Sequence, residues 1–267
     1  MSLPKPDPAT AVLVTGASSG IGTELARELA RRGHNLVLVA RRKDRLDELA
    51  EELRAEHGVR SEVYPRDLAN SAERAALVDD LRATGRGIVG VCNCAGFGTA
   101  GTFGELPLER ETEQVEVNSI AVLELTHAFL NEMVRRGAGA VLNVASIAAF
   151  QPIPGMATYA ATKAFVQTFS EAVHEELRGT GVSCTVLCPG PVPTEWADIA
   201  GAQAVMIGPA QVSPKDVAHD AIVGMEEGKR SVVPGIVPKA MSIGGRFAPR
   251  SLLLPGLAFG RRLRSRR

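Results

Sequence analysis

Ala11-Val12-Leu13-Val14-Thr15-Gly16-Ala17-Ser18-Ser19-Gly20-Ile21-Gly22 runs from an unbroken apolar segment into a glycine-rich turn and then a helical pattern. The run Ala11–Thr15 has the composition of a strand buried on both faces. Ile21–Arg32 carries helical periodicity and is closed by Gly33. A turn this tight needs residues free of Cβ clashes, and glycine lets backbone amides approach a pyrophosphate. The helix that opens there presents unpaired N–H groups and a positive dipole end. The spacing is Gly-x-x-x-Gly-x-Gly rather than the general Gly-x-Gly-x-x-Gly dinucleotide fingerprint. A plain strand-to-helix turn is the bland alternative.

Outward from this stretch the alternation continues. Strands are predicted at Asn35–Ala40, Ser61–Tyr64, Gly87–Cys94, Gly139–Ala145, Val182–Cys188 and Ser231–Val233. Helices are predicted at Lys43–His57, Ser71–Ala83, Arg110–Arg136, Thr158–Arg178 and Pro214–Glu226. Such alternation predicts an α/β fold, a Rossmann-type doubly wound parallel sheet, with ligands beyond the strand C-termini. No repeat or composition break demands a second domain. Residues 1–233 are read as a single dinucleotide-binding and catalytic domain, and 234–267 as a basic, partly apolar C-terminal extension.

With 267 residues, 45% hydrophobic and 22% charged, the chain has ample material for one core. No run approaches a membrane span. Met1–Pro8 lacks an apolar signal core and reads as a short disordered lead-in, so the cytoplasm is the default compartment. Cys92, Cys94, Cys184 and Cys188 have neither zinc-like spacing nor a nearby histidine, and read as free thiols of a reducing compartment. The five histidines form no ligand pattern, so no metal is expected.

Net charge is zero but uneven. After Glu227 come ten basic residues and no acid, leaving the preceding body at −10. Three readings of the tail compete: a solvated segment, an oligomer arm on a neighbour's acidic body, or a peripheral contact with anionic lipid. Pro249 and Pro255 should interrupt any long helix there. Nucleic-acid binding is not expected, since only Phe247 and Phe259 interleave the cations.

The end of the second strand bears on cofactor choice. NAD sites place an acid there, whereas NADP sites tend to use arginine. Here Val39-Ala40-Arg41-Arg42-Lys43 contains no acid until Asp44. Arg41, nineteen residues after Gly22, would meet a 2′-phosphate bidentately. Cations at a helix start are unfavourable unless an anion joins them. NADP is therefore expected over NAD.

Thr158 onward places Tyr159 and Lys163 at i, i+4 on one helix face, with Ser146 thirteen residues before Tyr159. A cation beside a phenol favours the phenolate, so the Tyr159 pKa is expected to fall from about 10 toward neutrality. Tyr-x-x-x-Lys alone recurs by chance, usually as a solvated helix face.

Taken together, these residues resemble the short-chain dehydrogenase/reductase family over nearly the whole chain to about Val233. TGASSGIG at Thr15–Gly22 matches its cofactor motif, implying cofactor contacts from Gly16, Ser18, Ser19, Gly20, Ile21 and Gly22. Asp67-Leu68 matches the pair that contacts adenine. Asn93-Cys94-Ala95-Gly96 is similar to Asn-Asn-Ala-Gly, with a thiol replacing the second amide, and implies cofactor contacts from Asn93, Ala95 and Gly96. Pro189-Gly190-Pro191-Val192-Pro193-Thr194 resembles the segment touching the nicotinamide carboxamide and pyrophosphate, so Pro189, Gly190, Val192 and Thr194 are implied. Asn118, Ser146, Tyr159 and Lys163 fall at the positions of the catalytic residues.

Physically, Tyr159 would serve as general acid in carbonyl reduction and base in reverse, and Ser146 would bond the developing oxyanion. The resemblance further implies that Lys163 bonds the nicotinamide ribose and that Asn118 holds a water linking Lys163 to solvent. It favours Pro191–Pro209, with Trp196, Ile199, Val205, Met206 and Ile207, as an apolar lid; a mobile surface segment is the alternative. It also implies a homodimer or homotetramer through the helices Arg110–Arg136 and Thr158–Arg178. The expected activity is NADP(H)-linked interconversion of a small-molecule carbonyl compound and its alcohol. An NAD-dependent dehydrogenase and a non-catalytic dinucleotide sensor remain as alternatives.

Overall fold

A computed structural model describes residues 3–203 and 210–264 of the chain. Val205, Met206 and Ile207 of the expected lid lie outside the described residues, as do Arg266 and Arg267. Seven parallel strands form one sheet in the order β3-β2-β1-β4-β5-β6-β7. They are β1 Thr10–Thr15, β2 Leu36–Ala40, β3 Ser61–Pro65, β4 Gly87–Asn93, β5 Gly139–Val144, β6 Val182–Leu187 and β7 Ser231–Val232. The order reverses between β1 and β4, which places a crevice at the strand C-termini there.

Side chains alternating along each strand supply two separate cores. Val12 and Val14 of β1 and Leu36 and Leu38 of β2 pack against α1 (Gly20–Arg31), α2 (Lys43–His57) and α8 (Pro214–Glu226). Leu13, Val37 and Val39 point the other way, toward α3 (Ser71–Ala83), α5 (Ala121–Arg136) and α6 (Ala157–Glu176). Continuous apolar strands are what two covered faces require. The predicted doubly wound sheet is the one observed.

Three expectations need correction. The lead-in is anchored: Leu3 is buried in the first core against Val12, and Asp7 Oδ1 accepts from the Ala9 amide at 2.7 Å. The helix expected over Arg110–Arg136 is divided into α4 (Leu108–Val115), a π-helical turn at Glu116–Ile120, and α5. In the tail, Pro249 does separate α9 (Ile236–Phe247) from α10 (Arg250–Arg264) as expected, but Pro255 lies inside α10 without ending it.

The π turn is held from two sides. Arg74 of α3, with its side chain 2% exposed, reaches Glu116 at 3.0 Å and Glu124 at 2.6 Å. Asn118, buried within the turn, bonds the loop after β4 on the other side, as described below. One extra residue per turn rotates Asn118 inward from a surface helix, a common reason for π insertions at functional sites. No helix among the described residues is long and apolar enough to cross a membrane.

Candidate active site

The glycine-rich loop follows β1 with Gly16 at φ 69° and Gly20 at φ 57°, conformations that side chains disfavour. A Cβ on Gly16 would stand 2.9 Å from the Ala95 backbone, and one on Gly22 would run into the Gly16 carbonyl oxygen. The loop is tied to the end of β4 by Thr15, whose hydroxyl accepts from the Cys94 and Ala95 amides at 3.0 Å each. Helix α1 opens at Ser19 with no side-chain cap, leaving its first amides available to an external anion. This cradle fits a dinucleotide pyrophosphate.

From this loop a cavity of 640 Å³ extends along the C-terminal ends of the strands. Its wall contains Gly16, Ser18, Ser19, Gly20, Ile21 and Gly22, then Arg41, Asp67 and Leu68. Farther on come Ala95, Gly96, Ser146, Tyr159 and Lys163, with Pro189, Gly190, Val192 and Thr194 closing over them. Most expected site residues therefore meet in one cavity. Asn118, fully buried behind the Gly96–Phe97 loop, does not line it, and neither does Asn93, which is buried in the sheet, donating to Asn143 Oδ1 at 2.8 Å and Thr126 Oγ1 at 3.1 Å. Those bonds join β4, β5 and α5 beneath the cavity floor.

At the end of β2, Arg41 projects with its side chain 61% exposed and only a long 3.4 Å ion pair to Glu113. Arg42 is more engaged. Its guanidinium bonds Ser18 Oγ at 3.2 Å and Glu195 at 2.9 Å, and Glu195 also pairs with Arg45 at 2.6 Å. Arg42 and Arg66 line the same end of the cavity, so three guanidinium groups stand there where reading the sequence singled out one. Their signal was present in the dibasic step Arg41-Arg42 and in Arg66 preceding Asp67.

Ser146 follows β5 and caps the turn Ile147–Phe150, its Oγ accepting from the Ala148 amide at 3.1 Å. Tyr159 and Lys163 lie one turn apart on α6 and are both buried. The Lys163 ammonium donates to the Val144 carbonyl at 2.8 Å and sits 5.8 Å from the Tyr159 ring centroid. Asn118 accepts from the Phe97 amide at 3.1 Å and donates to the Phe97 carbonyl at 2.9 Å and Thr162 Oγ at 3.1 Å. A Cβ on Gly96 would meet both Asn118 Oδ1, at 3.0 Å, and Lys163 Nζ, at 3.3 Å, so Gly96 lies between the two side chains.

Proton affinities differ from the expected ones. With protein groups alone around it, burial pushes the Tyr159 phenol up to about 12, and a hydrogen bond with Ser146 opposes this. Burial lowers Lys163 to about 8, partly offset by the thiols of Cys94 and Cys188. The expected fall of Tyr159 is thus reversed, because the ammonium is turned to Val144 while the ring is desolvated. Cys94, in the cavity wall, is held at about 12 by burial, with Lys163 pulling it down.

Part of the cavity wall is apolar. Trp196 stands over Tyr159 with ring centroids 5.0 Å apart and planes at 51°, at the start of the short helix α7 (Trp196–Ala200). Ile199, Ile153 and Met156 continue it. Met241 from α9 and Leu257 from α10 complete the wall, so the C-terminal extension is part of the site. Nothing in the sequence linked those two residues to the cavity.

Residues 10–203 match the family described as short chain dehydrogenase. The chain belongs to that family. Among its relatives is sulfoacetaldehyde reductase 2 of Chromohalobacter salexigens, 34% identical over 216 residues, or 78% of this chain and 85% of the relative. A short-chain dehydrogenase from Sphingobium yanoikuyae, solved in complex with NADPH, is 35% identical with TM-score 0.80, covering 92% of this chain and 95% of that one. A short-chain dehydrogenase/reductase from Burkholderia phymatum, solved in complex with NAD, is 26% identical with TM-score 0.80, covering 88% and 92%. As a short-chain dehydrogenase this chain is an oxidoreductase that works with a nicotinamide dinucleotide, and the glycine cradle and uncapped α1 are built to receive one.

Proposed function

We propose that the protein uses NADP(H) to interconvert a hydrophobic ketone or aldehyde and its alcohol. The observation that carries this reading is the convergence of Tyr159, Ser146 and Lys163 in one cavity, facing an apolar wall headed by Trp196. The cofactor choice is supported by Arg41 and Arg42 after β2 and Arg66 after β3 in the cavity wall, with Glu113 only loosely paired to Arg41 at 3.4 Å, although the NAD-bound neighbour keeps an NAD-dependent enzyme as the second reading.

The bound nicotinamide supplies or accepts the hydride. Tyr159, protonated at neutral pH, gives its proton to the substrate oxygen in reduction. Ser146, oriented by the Ala148 amide, donates its own hydrogen to the same oxygen as charge develops. Lys163 carries its charge below about 8 and lowers the cost of phenolate formation. Asn118 fixes the Phe97 backbone and Thr162, holding the Gly96–Phe97 loop over α6. Gly16–Gly22 and Pro189–Thr194 would hold the pyrophosphate and carboxamide, and Asp67 and Leu68 the adenine.

Four free thiols support a reducing compartment such as the cytoplasm. Exposed Leu123 on α5 and Phe165 on α6 support a homodimer or homotetramer through those helices.

The test is a thermal-shift titration with NADP⁺ and NAD⁺ on the wild type, Arg41→Ala and Arg42→Ala, followed by NADPH oxidation with ketones and aldehydes. A ligand that binds only the folded chain raises the melting temperature. Greater stabilisation by NADP⁺, reduced by either substitution, supports the cofactor reading. Preference for NAD⁺ overturns it, and absence of any shift or turnover overturns the enzyme reading in favour of a non-catalytic protein.

A further inference from the structure

Helix α9 buries one face and leaves the opposite one bare. Pro238, Ser242 and Gly245 are turned inward, with Pro238 against Gly190 and Gly245 against Phe150 and Gln151. Ile236, Ala240, Ile243 and Phe247, at i, i+4, i+7 and i+11, form one outward stripe. Ile236 is 88% exposed, Ile243 58% and Phe247 77%, and Leu252 at the start of α10 adds another exposed apolar side chain. A soluble surface seldom aligns such residues without a partner.

Lys239 and Arg246 flank the stripe, and Arg250 follows it. Arg246 lies 3.7 Å from Glu171, the acidic residue facing it from α6, and Arg250 donates to the Phe150 carbonyl at 3.3 Å. From Glu227 onward the chain has no further carboxylate side chain and ten cations. The geometry points to α9, with the start of α10, as a docking surface for an anionic lipid bilayer: the stripe enters the headgroup–acyl boundary and the cations meet lipid phosphates. A helix of this kind lies in the interface rather than crossing it.

Charge decides against a second copy of the chain as the occupant. A twofold contact places the same patch on itself, so joining two α9 stripes antiparallel would set Lys239 of one copy near Arg246 of the other, with Glu171 already shared by Arg246 and Arg230 on each copy. Docking the stripe on the acidic body of a neighbour would press isoleucine and phenylalanine onto charged surface. An anionic membrane satisfies both the apolar and the cationic part at once. Because α9 and α10 also contribute Met241 and Leu257 to the cavity wall, docking would bring the substrate end of the cavity beside the lipid.

The experiment is flotation of the full chain, loaded with NADP⁺, with vesicles of phosphatidylcholine alone and of phosphatidylcholine mixed with phosphatidylglycerol. The wild type should float only with the mixed vesicles, and less as salt is raised. Ile243→Glu combined with Phe247→Glu should weaken this by about a hundredfold, each lost insertion contributing about tenfold. Both positions are outside the cavity wall, so the melting-temperature shift with NADP⁺ and the reductase rate should stay as in the wild type. Those readouts keep failure of this inference separate from failure of the oxidoreductase reading. No flotation, equal flotation with neutral vesicles, or undiminished flotation of the double variant overturns the proposal. So does a wild type that does not float but forms an oligomer, by light scattering, that the double variant dissociates.

Discussion

Replacing Lys163 by methionine removes a buried cation, and the gain follows from the two proton affinities of that amine. Burial holds it at about 8 against the ordinary lysine value of 10.5. The difference corresponds to about 3 kcal/mol. Below pH 8 both folded and unfolded chains carry the proton, and the folded chain bears the whole desolvation. Between 8 and 10.5 the folded chain releases its proton first, so this group's contribution to stability rises with pH. Methionine also forfeits the charge-assisted bond to the Val144 carbonyl, worth about 2 kcal/mol. Lys163→Met should therefore be more stable than the wild type by about 1 kcal/mol at pH 7, and that advantage should largely vanish by pH 9. Urea unfolding of both proteins without cofactor at pH 7, 8 and 9 measures it. Taking the difference cancels Tyr159 and the cysteines, which titrate in both. An advantage that does not change with pH, or a wild type more stable throughout, refutes desolvation as the cause of the shift.

The same groups predict the pH profiles: reduction should be flat below pH 8 and decline above it, while alcohol oxidation should rise up to about pH 8 and level beyond, as Lys163 loses the charge that supports the phenolate, which initial rates in both directions would reveal. Tyr159→Phe should lower kcat by about 10³-fold while leaving the NADP⁺-induced melting shift intact; a matching loss of cofactor binding would contradict a purely chemical role. In Gly98→Ala the new methyl would stand 2.7 Å from Trp196 Cζ2 and 3.2 Å from Tyr159 Cδ2. It should displace the indole and raise KM for bulky ketones more than it lowers kcat for small ones. Asn118→Ala leaves the Phe97 amide and carbonyl without their side-chain partner, which should cost about 2–4 kcal/mol in urea unfolding.

The doubly wound sheet was legible because strands buried on both faces leave continuous apolar runs, as Ala11–Thr15 and Gly139–Ala145 do. The cofactor cradle was legible because Gly16 and Gly22 stand where any side chain would collide with backbone. What escaped depended on three-dimensional closure. A π turn differs from an α turn by one residue, and the apolar spacing of Arg110–Arg136 fits both. Asn93 shares its stretch with cavity residues, but the alternation of the strand sends its amide to Asn143 and Thr126. The spacing of Tyr159 and Lys163 was read correctly, yet spacing carries no information about desolvation or about the Val144 carbonyl that takes the ammonium. Met241 and Leu257 reach the cavity through two helices that meet at Pro249, and spacing alone does not tell where such helices fold back. Their role could be found only by folding the tail back.

Cys94 replaces an amide with sulfur beside Lys163, and its chemistry is set by the same burial that governs the tyrosine. At about 12, the thiol is ionised to only about one part in 10⁵ at pH 7. A sulfur in the wall of a redox enzyme's cavity would ordinarily invite alkylation and air oxidation. Here the protonated form dominates, so iodoacetamide should inactivate turnover slowly at neutral pH and faster as pH rises. An electrophilic inhibitor aimed at this position would reach the sulfur from the cavity but react slowly, because the thiol is held protonated.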